Sequence, residues 1–352
     1  MNNSHCILSD ATLRDALYSL NCLSGKVMVL FVVEEDGHLF GTLTDGDIRR
    51  ALLAGAGLSD QVTVAAHRNF RFIRQGNPGV EALRAFRMQG ISLIPVLDDE
   101  GRLVDIVDLS RQRTILPVKA VLMAGGRGER LRPATLTTPK PLLKIEGKAI
   151  IDYNIEALSA CGVKDIYVTT RYLAEQLDSH FANPVAGVKV KTVREDDPLG
   201  TIGAVTLTGV ADADGDTLVM NSDLLTTIDL EEMYLHHISE GAQATIAAIP
   251  YTMSVPYAIL TTDGPRVTGI AEKPTATHFA NAGIYIFANS LLSRLPHGER
   301  TDAPDFLLDA IGRGDKVAYY PINGTWIDIG SPEEFRHASD LMQHHRSLTK
   351  LG

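Results

Sequence analysis

The stretch 121–143, VLMAGGRGERLRPATLTTPKPLL, constrains this chain more than any other. An apolar run ending in Gly125, Gly126 and Gly128 reads as a buried strand that turns sharply, with backbone N–H groups left to face a ligand. Such a turn suits phosphate. Between Arg127 and Lys148 stand six basic residues, Arg127, Arg130, Arg132, Lys140, Lys144 and Lys148, against only Glu129 and Glu146, in a chain of formal charge -10. Positive charge is therefore concentrated where the glycines are. The spacing is not that of a Walker-type phosphate loop, and GGRGER lacks the third glycine of a dinucleotide fingerprint. A glycine turn by itself is commonly a plain connection. The segment Thr138-Pro139-Lys140-Pro141 adds a lysine fixed between two prolines, a rigid extended presentation that a solvated lysine does not need.

Together, AGGRGERLRP and TPKPLL resemble the signature loop of the sugar-phosphate nucleotidylyltransferases, in the form found in the mannose-1-phosphate guanylyltransferase branch. The resemblance implies that Ala124, Gly125, Gly126 and Gly128 cradle a nucleoside triphosphate. It implies that Arg130 holds that triphosphate and that Lys140 sits at the reacting phosphates.

At 352 residues, 45% hydrophobic and 22% charged, the chain has an ordinary globular composition and length for two or three domains. Cys6, Cys22 and Cys161 show no paired spacing, which argues against a disulfide framework or zinc site and fits a reducing cytoplasm. MNNSHCILSD lacks a signal pattern, and no apolar run approaches spanning length, so no membrane and a cytoplasmic location are expected. The net charge of -10 disfavours nucleic acid, which needs a broad basic face. The eleven histidines, including His236-His237 and His344-His345, show no metal-ligand spacing and are expected at the surface.

Residues 1–115 read as a duplicated module. Leu13, Leu17 and Leu20 follow Ser9-Asp10 as a capped amphipathic helix; then come a strand from Val27, a turn at Asp36-Gly37, a strand from Leu39 and a helix over 46–53. The order recurs, with Glu100-Gly101 standing 64 positions after Asp36-Gly37. GHLFGTLTDGDIRR resembles the most diagnostic part of a tandem cystathionine-β-synthase-type (CBS) pair. That resemblance implies that Thr44 and Asp47 contact the phosphate and ribose of an adenine nucleotide. The second copy has Asp108 and Arg111 at those positions and Asp105 in place of Gly41, so a nucleotide is expected to favour the first copy. Two readings stand: a dimerisation module without ligand, through which the chain forms a homo-oligomer, or a small-molecule regulator of the other half.

SRQRTILP connects to the second half, 116–352. There, strand, helix, strand and helix alternate through 118–193, which implies right-handed crossovers and a mainly parallel sheet with its ligand at the carboxyl ends. The fold class is α/β, a CBS pair followed by a Rossmann-like, GT-A-type nucleotidyltransferase domain with a mixed, mainly parallel sheet. EDDPLGTIGA from Glu195 is similar to the family segment whose backbone lines the base pocket, which implies roles for Gly200, Thr201 and Gly203. TLVMNSDLL ends a strand in an aspartate that is either a helix N-cap or, by the resemblance, a magnesium ligand; Asp223 and Asp328 together offer the hard oxygens that Mg2+ takes. IAEKP resembles a Glu-Lys-Pro motif in which Glu272 holds sugar hydroxyls and Lys273 the sugar phosphate, and NAGIYIF resembles a sugar-pocket wall containing Asn281. Tyr257-Ala258 departs from the family's Tyr-Gly, which bears on the sugar.

The implied reaction is attack by a sugar-1-phosphate oxygen on the α-phosphorus of a nucleoside triphosphate, releasing pyrophosphate. The nucleophile is already ionised, so no general base is needed. By the resemblance, the Leu-Gly-Thr form leans toward guanylyl transfer, and the fusion of the two halves resembles guanylyltransferases that feed surface-glycan or nonulosonate pathways, which implies GTP with a hexose- or hexosamine-1-phosphate. Transfer of uridylyl, thymidylyl or cytidylyl groups, or a catalytically silent sensor, are the alternatives.

Overall fold

The computed structural model describes residues 4–25, 27–76 and 79–349, with the side chains of 345–349 left aside; the surface placement expected of His345 lies outside them. The chain divides into two compact units, Met1–Leu116 and Pro117–Gly352.

In the first unit, two three-stranded sheets repeat one plan. The strand Cys6–Leu8 lies parallel to Val29–Val33, which pairs antiparallel with Leu39–Thr44; Ile73–Arg74, Leu93–Leu97 and Leu103–Asp108 repeat this order. Both hairpins carry their irregularity at the same place, Val32/Val33 and Val96/Leu97. The repeat of 64 seen in the sequence closes on itself. Leu39 N–H donates to Gly101 O at 3.2 Å and Leu103 N–H donates to Gly37 O at 3.0 Å, a reciprocal exchange that relates the copies by a local two-fold. Phe31, Leu39, Leu93, Leu97 and Leu103 form one shared core between them. The first helix, Leu13–Cys22, is not capped by Ser9-Asp10. Thr12 caps it, accepting from Asp15 N–H while the Asp15 carboxylate accepts from Thr12 N–H, the reciprocal arrangement that satisfies two orphan donors.

The second unit is built on a seven-stranded sheet in the order Val190–Arg194, Ile166–Thr170, Val118–Met123, Asp216–Asn221, Thr275–Ala288, Ala244–Ser254, Val317–Pro321. Four of its six pairings are parallel; Thr275–Ala288 runs antiparallel to both neighbours. The fold is thus α/β with a mixed sheet. The first four strands end level, Thr169 beside Met123 and Asn221 beside Met123, so their carboxyl ends form one edge. That edge is where α/β sheets bind ligands. Beyond Ile249, the long hairpin of Ala244–Ser254 and Thr275–Ala288 leaves the core, and the smaller hairpin of Ile259–Asp263 and Arg266–Ala271 at its tip is exposed almost throughout. Among the described residues no helix is long and apolar enough to cross a membrane.

One expectation fails in this unit. His237 is buried, with its Nδ1 2.8 Å from Thr245 Oγ1, because Leu230, Met233, Tyr234 and His237 share the face that the helix Leu230–Glu240 lays on the sheet.

Candidate active site

Asp223 and Asp328 are 105 positions apart, and a two-stranded ladder brings them together. Leu224–Thr226 pairs antiparallel with Trp326–Asp328, with Leu224 opposite Asp328, and Ile329 N–H donates to Asp223 O at 3.1 Å. A strand, not a helix, follows Asp223, so it is no N-cap. Into this junction reaches Lys140, from the short helical turn Lys140–Leu142 that follows Pro139. The lysine is buried; its Nζ donates to Asp223 Oδ2 and lies 3.7 Å from Asp328 Oδ1. Arg130 Nη2 lies 4.0 Å from Asp328 Oδ2. Burial and the neighbouring Asp223 carboxylate push Asp328 above the usual carboxylate range, against the pull of Lys140 and Arg130.

The glycine turn forms the adjoining wall. Gly128 has φ +58°, its carbonyl accepts from Thr135 Oγ1 at 2.8 Å, and a Cβ there would meet Lys140 Cβ at 3.0 Å. A side chain at Gly125 would strike Glu195 Oε1 at 2.5 Å. These glycines are required by the close approach of Lys140 and Glu195 as well as by any phosphate. Two adjoining hollows result. One is lined by Ala124, Gly126, Gly128, Arg130, Lys140 and Asp223; the other by Gly125, Arg171, Glu195, Gly200, Thr201 and Arg300; Gly126 and Asp223 border both.

The EDDPLGTIGA turn is held in place by the loop 299–303. Thr201 N–H donates to Asp302 Oδ1 at 3.0 Å and Ala303 N–H donates to Thr201 Oγ1 at 2.8 Å. A Cβ on Gly200 would meet Thr301 O at 2.4 Å and one on Gly203 would meet Glu299 O at 2.5 Å. Gly200 and Thr201 also face the second hollow, whereas the buried Gly203 does not line it.

Three residues singled out in the sequence lie elsewhere. Glu272 and Lys273 stand in the exposed turn before Thr275–Ala288 and line neither hollow; Lys273 adopts φ +42°, uncommon for a side-chain-bearing residue. Asn281 is occupied locally, accepting from Gly283 N–H at 2.9 Å and donating to the Tyr285 hydroxyl at 2.8 Å. In the first unit, the Thr44 and Asp47 side chains close a capping box on the helix Asp45–Leu53. A cleft of about 520 Å³ opens at the second-copy positions Asp108, Ser110 and Arg111, with His5, Val27 and Leu93.

Sequence reasoning missed Glu195 as a site residue, along with Arg171, Arg300 and Asn221. Glu195 is 5% exposed at the end of Val190–Arg194, its carboxylate accepts from Leu199 N–H at 3.3 Å, and burial raises its pKa. A carboxylate directly after a strand that ends at the ligand edge was the available signal. Arg171 had the same one, standing directly after Ile166–Thr170.

Residues 119–345 match the family model for nucleotidyl transferases, and the chain belongs to that family. Residues 1–54 and 63–111 each match the CBS domain. Members of the family typically work with a divalent metal ion. Among curated proteins, the chain is 32% identical over 244 residues to the mannose-1-phosphate guanyltransferase of Neurospora crassa, covering 67% of this chain and 66% of that one. It is 31% identical over 237 residues to the mannose-1-phosphate guanylyltransferase of Mycobacterium tuberculosis, covering 64% and 65%. The chain spans less than two thirds of the length of these relatives. The UDP-glucose pyrophosphorylase of Acinetobacter baumanii shares the fold, with TM-score 0.50 and 22% identity over 67% of this chain and 100% of that one.

Proposed function

We propose that the protein is a sugar-1-phosphate guanylyltransferase, joining GTP to a hexose- or hexosamine-1-phosphate to form a GDP-sugar and pyrophosphate. The observation that carries this reading is the meeting of Arg130, Lys140, Asp223 and Asp328 beside the glycine turn, at the carboxyl edge of the sheet.

The two carboxylates fit a divalent cation. They already share one positive charge, the Lys140 ammonium, which stands in for an ion, and hard oxygen donors are what Mg2+ takes. Asp223 and Asp328 would hold Mg2+, which supplies charge neutralisation at the phosphates when bound. Lys140, at the junction of the two carboxylates, would neutralise the negative charge that builds up at the α-phosphate. Arg130 and the backbone N–H groups of 124–128 hold the β- and γ-phosphates in line. Catalysis is positioning and electrostatics, since the sugar phosphate brings its own ionised nucleophile. Glu272 is assigned to sugar hydroxyls, Lys273 to the sugar phosphate and Asn281 to the wall behind them, which requires the exposed hairpin to reach the cleft.

Glu195 supports guanine. The guanine edge offers N1–H and N2–H2 side by side, two donors for one carboxylate. Uracil, thymine, cytosine and adenine each set an acceptor against it. Arg171 and Arg300 line the same hollow and offer donors that suit O6 and N7.

The CBS module is assigned to oligomerisation and to an adenine nucleotide. With Thr44 and Asp47 engaged in a cap, the cleft at Asp108 and Arg111 is the better seat; Arg111 Nε lies 3.6 Å from the Asp108 carboxylate, which offsets the repulsion expected of Asp108 toward phosphate. The test of the catalytic reading is pyrophosphate release from GTP, UTP, dTTP, CTP and ATP, each with a panel of sugar-1-phosphates. Release with GTP above the other four is expected; release with none, or with another nucleotide preferred, contradicts it.

A further inference from the structure

The helix Ile150–Ala160 buries Ile150, Ile151, Asn154, Ile155 and Leu158 on one stripe, all apolar except Asn154, which is 3% exposed. A buried amide costs stability unless it is hydrogen-bonded, and a leucine would fill this stripe without that cost. The Asn154 side chain donates from Nδ2 to Leu224 O at 3.0 Å and to Ser222 O at 3.4 Å. Its two acceptors are the carbonyls of the residues on either side of Asp223. Because both are carbonyls, the amide must present its NH2 to them, so the orientation follows from chemistry.

Two further contacts pin the same turn. Ser222 Oγ donates to Met123 O at 2.7 Å, and Ile329 N–H donates to the carbonyl of Asp223 at 3.1 Å. The helix also lies against the turn that carries Lys140. It packs on the turn Lys140–Leu142, and Ile150 N–H donates to Leu143 O at 3.0 Å. The same helix therefore holds the Lys140 turn from its first residue, Ile150, and the Asp223 turn from its buried face.

We propose that Asn154 is a positioning residue that sets the Asp223 carboxylate for a divalent cation, and does so in register with Lys140. The inference rests on the reading of Asp223 as a metal ligand. Asn154 touches no substrate; it acts by holding the peptide on both sides of the ligand. A group one step behind a metal ligand commonly controls affinity for the ion by about 10- to 100-fold.

The test is Mn2+ binding to the full chain without nucleotide, followed by electron paramagnetic resonance of the free ion, with thermal melting recorded in parallel. Asn154→Leu removes both donors at similar volume, and Asn154→Ser removes them while leaving room for a water. The expected result is a rise in Mn2+ Kd of about 10-fold or more in either folded variant, and a larger loss in kcat than in KM for the nucleotide. If Asn154→Leu does not fold, Asn154→Ser decides. A folded variant whose Mn2+ Kd stays within about twofold of the parent, whatever its melting temperature, overturns the proposal, because a purely structural amide would change only the melting. Asp223→Asn serves as the control. Loss of Mn2+ binding there, with none in the Asn154 variants, sinks the positioning role alone; unchanged binding in Asp223→Asn sinks the metal reading and this inference with it.

Discussion

Asp47 and Asp328 are both aspartates placed by the end of a hydrophobic strand, and their surroundings push them in opposite directions. Burial raises Asp47, but the Thr44 hydroxyl, the Thr44 N–H and Arg50 outweigh it, and the carboxyl is held below its ordinary value. Asp328 is raised, by burial and by Asp223, although Lys140 and Arg130 are close. The first carboxylate is satisfied by its own chain and closes a helix cap. The second is left short of positive charge. A carboxylate that the fold has already satisfied holds structure, and one the fold leaves wanting is available to an ion.

The largest effect is expected at the pair to which Asp328 belongs, Asp223 and Asp328. Asp223→Asn should lower kcat by about 10²-fold or more in a protein that still folds, as loss of one preorganised electrostatic contact does. Normal turnover would end the metal assignment, and circular dichroism guards against trivial unfolding. Glu195→Gln comes next. It should reduce the preference for GTP over other nucleotides by about 10-fold, read from competing kcat/KM values, because a neutral amide pairs with only one of the guanine donors. An unchanged preference would place base recognition elsewhere.

The pH dependence sharpens the same point. Burial raises Glu195. Its proton therefore stays on to higher pH than on an ordinary glutamate, and the acid limb of kcat/KM for the nucleotide should lie above the usual carboxylate value. The limb should vanish in Glu195→Gln. For stability the sign is the same: the folded state favours protonated Glu195, so its contribution is present at low pH and is lost as pH rises through the raised value. The smallest effect belongs to the satisfied carboxylate. Thr44→Ala should cost about 1 kcal/mol in denaturant unfolding and leave pyrophosphate release untouched. A fall in release would show that the CBS module acts on catalysis through that turn.

Much of the site was legible because it is local. Gly125, Gly126, Gly128, Arg130 and Lys140 fall within 16 residues, and the prolines flanking Lys140 announce a fixed presentation. The CBS repeat was legible because its spacing of 64 is kept through the hairpin of each copy, Gly37 with Gly101 and Leu39 with Leu103. What escaped depends on long-range contact. Asn154 reads as a polar residue in a helix, and only folding puts it under Asp223. Arg300 belongs to a connector and faces the cleft because the Glu195 turn binds its loop. His237 was misplaced because a histidine on an apolar stripe carries no outward sign of its partner, Thr245. Glu272 and Lys273 stand out by likeness to a motif, and motif likeness does not fix where exposed hairpin residues sit relative to a cleft.

The central claim is that Asp223 and Asp328 hold one cation between them. Two groups serving one ion act as a unit, and removing the second should then cost little once the first is gone. The direct measurement is kcat for pyrophosphate release in Asp223→Asn, Asp328→Asn and the double variant. With one shared cation, the double variant should be no slower than the slower single variant by more than about threefold. Losses that multiply would mean that the two carboxylates do separate jobs, and would contradict it.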